Sequence, residues 1–300
     1  MMPHAPSGIP DDVVRRRVSL PGKDIEIALQ DWGGDGPLAL LHHANGFCAA
    51  LWAPVAERLR ARFHVVAMDA RGHGDSSMPP EGAVPEAFSW SLMADDLQDV
   101  ANLLLHETGE RQIGLGLGHS FGGTMTMTAE SRQPGLYERL VLVDPVIPPA
   151  NLVRSEMEVR ESEMVIRARK RRHRWSDRAA AREYFSTKLL FADWTPRSMD
   201  LYVQEGLRET PEGEVELKCA REAEAEVFAN SFTLNLKEVL PAVRAPALIM
   251  WAQRGNFPLD TFQQMCDEVP DATLVELDAG HLIPMEKPEW VVEQVLGFCA

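Results

Sequence analysis

Three hundred residues, 45% of them hydrophobic, are enough chain to bury one large domain or a domain carrying an insertion. A formal charge of −15 opposes nonspecific association with nucleic acid or an anionic membrane, because like charges repel over long range; the expected partner is a small molecule. No apolar run reaches transmembrane length, the N-terminal segment lacks the basic and apolar regions of a secretory signal, and Cys48, Cys219, Cys266 and Cys299 form no C-x-x-C pair, so cytoplasmic residence with free thiols and no zinc site is expected.

In chain order, residues 13–20 and 25–32 alternate apolar and polar around the turn Pro21-Gly22-Lys23-Asp24, which predicts a hairpin. From residue 38 a strand-then-helix order repeats. Strands are expected at 38–42, 63–68 and 113–117, and the helices that follow them at 49–62, 89–106 and 121–133. Such alternation predicts a mostly parallel sheet covered on both faces. Another buried strand, 140–143, ends at Asp144-Pro145, and the next comparable run, 247–251, comes only after a long charged interval. That interval, with helical patterns at 151–172, 178–190, 197–205 and 220–230, predicts an inserted helical cap over residues 148–235. A helix at 259–268, a strand at 272–277 and a helix at 288–298 complete the core, which is expected to comprise residues 1–147 and 236–300.

The stretch Gly118-His119-Ser120-Phe121-Gly122 joins the third of those strands to its helix. Gly-Ser-Gly clusters also occur in loops and phosphate-binding turns, but a buried strand before and a helix after favour a nucleophile elbow, which makes Ser120 the candidate nucleophile. A serine hydroxyl is weakly nucleophilic near neutral pH and needs a base within hydrogen-bond reach. Gly280-His281-Leu282-Ile283-Pro284 places His281 in a loop between the last strand and the last helix, as general base. His4, His64, His106 and His173 lie outside any motif and read as structural.

Gly118 to Gly122, Asp69-Ala70-Arg71-Gly72-His73-Gly74-Asp75-Ser76 and Gly280-His281-x-x-Pro, in this order, resemble the α/β-hydrolase family from about residue 13 to the C-terminus. The resemblance implies that fold with a helical cap, and an oxyanion hole of two backbone N–H groups: that of Phe121 and one in the loop His43-Ala44-Asn45-Gly46, either Ala44 or, by preference, Asn45. It also implies that Arg71, His73 and Asp75 shape a turn. Relatives commonly carry the triad acid where this chain has Gly255, and some carry it one strand earlier, which here is Asp144. Asp144 is therefore the expected acid, with Asp260 as the alternative. His43, Ala44, His119 and Trp194 are the candidate substrate contacts.

In the cap, Arg167, Arg169, Lys170, Arg171, Arg172 and Arg174 read as a solvated face paired with nearby glutamates, with recognition of an acidic substrate group as the alternative. Met157, Met164, Val165, Leu189, Leu190, Phe191, Trp194, Phe228 and Phe232 are cap-core residues, some of which could face a pocket. A serine nucleophile argues against haloalkane dehalogenase and epoxide hydrolase chemistry, which use a carboxylate. The expected function is a serine hydrolase, without cofactor or metal, that cleaves a carboxylic ester or lactone through an acyl-enzyme. Carbon–carbon bond hydrolysis or perhydrolysis by the same triad, or non-catalytic ligand binding on this fold, are the alternatives.

Overall fold

Strands β1 (Val14–Ser19) and β2 (Glu26–Gly33) pair antiparallel as the hairpin their alternation predicts. The computed structural model, which describes residues 8–147 and 155–300, continues with β3 (Leu38–His42), β4 (His64–Met68), β5 (Leu115–His119) and β6 (Leu140–Val143). After the insertion come β10 (Ala247–Arg254) and β11 (Ala272–Gly280). Among the described residues these eight strands form one sheet in the order β1-β2-β4-β3-β5-β6-β10-β11, parallel from β4 onward.

Both faces of the sheet are covered, which is why β3 and β6 are apolar almost without interruption. Their side chains alternate between two cores. Leu38, Leu40, Leu140 and Leu142 face α2 (Trp90–Thr108) and α3 (Phe121–Arg132), whereas Ala39, Leu41, Val141 and Val143 face α1 (Ala53–Leu59) and α12 (Pro288–Phe298). Each fully buried leucine contributes roughly 1.5–3 kcal/mol of transfer free energy. The chain steps from β3 outward to β4, then crosses back over β3 to β5. The order of winding therefore reverses between β3 and β5, and a crevice opens beyond their carboxyl ends.

Between β6 and β10 the chain carries α4 (Glu156–Arg160), α5 (Glu163–Lys170), α6 (Arg178–Ser186), α7 (Pro196–Glu205) and α8 (Arg221–Ala229). Of the helix expected over 151–172, residues 151–154 lie outside the described ones and the remainder holds two helices; Ser155 and Glu158 form a capping box at the start of α4. Nor is the interval wholly helical. Strands β7 (Arg174–Trp175), β8 (Leu207–Glu209) and β9 (Val215–Leu217) make a small sheet, with Pro211-Glu212-Gly213 in the turn of the β8–β9 hairpin. Short helices α9 (Leu236–Val239) and α11 (Ile283–Glu286) flank α10 (Leu259–Glu268) in the chain. No helix among the described residues is long and apolar enough to cross a membrane.

Candidate active site

Ser120 sits between β5 and α3 with φ 55° and ψ −121°, a conformation that costs a non-glycine residue energy and persists because its surroundings hold it. The flanking glycines are steric requirements. A Cβ on Gly118 would lie 2.4 Å from the Gly122 carbonyl oxygen, and one on Gly122 would lie 2.4 Å and 2.5 Å from the His42 and His43 carbonyl oxygens. Turned out of the strand, the Ser120 hydroxyl lies 2.8 Å from His281 Nε2, and His281 Nδ1 lies 2.5 Å from Asp144 Oδ2. The tautomer that serves both contacts carries its hydrogen on Nδ1, donates to Asp144 and accepts from Ser120.

Asp144 is fully buried at the end of β6, also at positive φ (42°). Its N–H donates to the Met250 carbonyl at 2.8 Å, and its Oδ1 accepts the Ala252 N–H at 3.1 Å, so β10 clamps the carboxylate against His281. A Cβ on Gly255 would stand 2.7 Å from Asp144 Oδ2. The missing side chain at 255 is thus the room that Asp144 occupies. Asp260 is exposed in the first turn of α10, where its carboxylate meets Thr261 Oγ1 at 3.5 Å.

Two contacts that sequence reasoning missed hold the histidine loop. Glu286, buried in α11, accepts the Gly280 N–H at 2.7 Å, and His119 Nε2 donates to the His281 carbonyl at 2.9 Å. Burial, with His281 nearby, pushes the His119 pKa down to about 3, so the donor is a neutral imidazole. A short carboxyl-bearing helix just after a candidate base was the available signal for Glu286.

The loop after β3 is pinned by histidines. His43 Nδ1 donates to the Ala44 carbonyl at 2.7 Å while its Nε2 accepts the Ala70 N–H at 2.9 Å. His73 Nδ1 donates to the Arg71 carbonyl at 2.9 Å and its Nε2 accepts the Gly46 N–H at 3.1 Å. Burial drives the His43 pKa well below its ordinary value and the His73 pKa to about 4, which suits nitrogens that must accept. The Asn45 side chain donates to the Glu224 carbonyl at 3.0 Å, tying the loop to α8. Beside it, Arg171 bonds Glu224 and, at 2.9 Å, the Tyr202 hydroxyl. Burial works against the Arg171 charge, but Tyr202 and Glu224 hold its pKa above the usual arginine value. Arg71 pairs with Asp96, and Asp75 with Lys218, as a shaped turn requires.

Ser120, Phe121, Ala44, Asn45 and His281 share the wall of a cavity of about 960 Å³ that is otherwise mainly apolar. Phe121 opens α3, so its N–H lies in the first turn, where no intrahelical carbonyl accepts it. Of the expected substrate contacts, Ala44 lines this cavity, whereas His43, His119 and Trp194 do not. Both nitrogens of His43 are engaged by backbone, His119 bonds the His281 carbonyl, and Trp194 packs into a cluster with Phe47, Phe191 and Tyr202. From the cap set, Met164, Leu190, Phe191, Phe228 and Phe232 line the cavity; Val165 is buried against α8, while Met157 and Leu189 are exposed. Among the described residues no three His, Cys, Asp or Glu side chains are grouped to hold a metal ion.

Residues 39–294 match the model of the alpha/beta hydrolase family. Over 269 residues the chain is 29% identical to N-formylmaleamate deformylase of Pseudomonas putida, with 85% of each chain covered. Over 270 residues it is 27% identical to the lipase LipV of Mycobacterium tuberculosis, covering 88% of this chain and 94% of the lipase. Its fold superposes on the crystal structure of E-2-(acetamidomethylene)succinate hydrolase with a TM-score of 0.80 at 22% identity, covering 95% and 98% of the two chains.

Proposed function

The chain belongs to the alpha/beta hydrolase family, and from that premise we propose that it is a cofactor-independent serine hydrolase that cleaves a carboxylic ester or lactone through an acyl-enzyme on Ser120. The observation that carries this reading is the continuous hydrogen-bonded line from Ser120 through His281 to Asp144, at 2.8 Å and 2.5 Å. As Ser120 Oγ attacks the carbonyl carbon, its proton passes to His281 Nε2. Asp144 holds the ring in its tautomer and stabilises the imidazolium that forms. Negative charge on the carbonyl oxygen meets the N–H groups of Phe121 and Asn45, each such donor being worth about 10²–10³ in rate. His281 returns the proton to the departing alkoxide as the tetrahedral adduct collapses. Water, deprotonated by the same nitrogen, then releases the acid and restores Ser120.

The same machinery would cut an acyl–nitrogen bond, a second reading favoured by similarity to the deformylase over most of both chains. A fluorophosphonate is expected to label Ser120 in the wild type and leave Ser120→Ala unmarked; a folded wild type that stays unlabelled would overturn the proposal. Turnover of an ester, a lactone, an N-formyl amide and a diketone, measured side by side, assigns the bond.

A further inference from the structure

The cavity wall carries Arg167, Arg171, Arg172, Lys188 and Lys237 but, as carboxylates, Glu224 and Glu268. That excess of positive charge belongs to a chain with 45 acidic against 30 basic side chains. Partners for a cation are therefore plentiful, and the neighbouring arginines have found them: Arg167 pairs with Glu163, Arg169 with Glu226, Arg171 with Glu224 and Arg174 with Glu216.

Arg172 and Lys188 are different. Among the described residues neither forms an ion pair, and both, themselves exposed, lie against aromatic rings. Arg172 donates Nε–H to the Arg174 carbonyl at 3.0 Å, and its guanidinium lies 5.3 Å from the Tyr184 ring centroid and 5.6 Å from that of Trp175. Lys188 Nζ lies 4.2 Å from the same Tyr184 centroid. Two like charges thus share one aromatic ring that itself lines the cavity. Among the described residues no carboxylate is ion-paired with either, and an anion entering the cavity would find both cations available.

We propose that the substrate carries an oxyanionic group, a carboxylate or a phosphate, remote from its scissile carbonyl, and that Arg172 and Lys188 seat it over Tyr184. The apolar wall between this seat and Ser120 would take the connecting chain. This rests on the serine-hydrolase reading of Ser120 and narrows its substrate class.

The test compares p-nitrophenyl half-esters of adipic, suberic and sebacic acid with the neutral hexanoate, octanoate and decanoate esters. At one chain length the half-ester is expected to exceed its neutral match in kcat/KM by about tenfold, with the ratio falling as salt rises. Arg172→Gln with Lys188→Gln should bring that ratio near one, with thermal melting as the check on folding; Arg174→Gln, outside the cavity wall, should preserve it. A wild-type ratio near one, or a ratio the double variant retains, overturns the proposal. Calorimetry on Ser120→Ala with hexanoate and hexyl phosphate reads the seat without turnover and distinguishes the two oxyanions. Absence of binding by both overturns the seat even where esters are hydrolysed, whereas an unlabelled Ser120 in a protein that binds either probe overturns the hydrolase reading alone.

Discussion

At the scale of single residues, Asp144 makes the sharpest demand. Asp144→Asn keeps the shape but donates where the carboxylate accepted, so kcat is expected to fall by about 10³–10⁴, while Asp260→Asn, at an exposed position where the carboxylate meets Thr261, is expected to leave kcat near the wild-type value. Gly255→Ala inserts a methyl 2.7 Å from Asp144 Oδ2 and 2.9 Å from the Ala252 carbonyl oxygen. Displacing the carboxylate is expected to lower kcat by roughly tenfold to a hundredfold with an unchanged melting temperature, and full activity in this variant would refute the steric account. Ser120 and His281 were legible in the sequence because each sits in a local turn whose neighbours are dictated by sterics. Asp144 was legible through what Gly255 lacks. The Arg171–Glu224–Tyr202 group was not, since its members meet across 53 and 31 residues of chain and no local pattern joins them.

At the scale of elements, the His281 loop is tied to a helix of four residues. Glu286→Ala would leave the Gly280 N–H without its acceptor beside His281, a loss of about 1–3 kcal/mol with a lowered kcat, whereas Glu286→Gln keeps an acceptor and should recover most of both. Urea melts and steady-state rates on the pair of variants check this; equal rates in both would mean that the contact does not position the histidine. Long elements were readable: the last helix, Pro288–Phe298, spans the residues its pattern predicts. The β7–β9–β8 sheet was hidden because strands of two or three residues are too short to show a period of two.

For the molecule as a whole, four buried histidines set an acid limit. Burial pushes His42 and His73 to about 4, His119 to about 3 and His43 well below the ordinary 6.5. Below pH 6.5 the unfolded chain takes up protons that the folded chain refuses until near 4 or lower, so stability is full above that window and is lost as pH falls through it. Asp69 acts in the opposite sense: burial raises it from 3.8 to about 6, so between those values stability falls as pH rises. Four groups against one decide the direction, each contributing at most about 1.4 kcal/mol per pH unit. The melting temperature is expected to drop steadily between about pH 6.5 and pH 4.5, and a flat profile would contradict the buried neutral imidazoles. The sheet order was legible as a class, because strand-helix alternation leaves few topologies, but the adjacency of β6 and β10 was not, since more than a hundred residues separate their starts. That adjacency makes the ends of two neighbouring strands converge on one point behind His281. The scaffold therefore offers two berths for a single carboxylate, and filling one closes the other. A carboxylate placed at 255 would therefore crowd that of Asp144 rather than stand beside it, since even a Cβ there would lie 2.7 Å from Asp144 Oδ2.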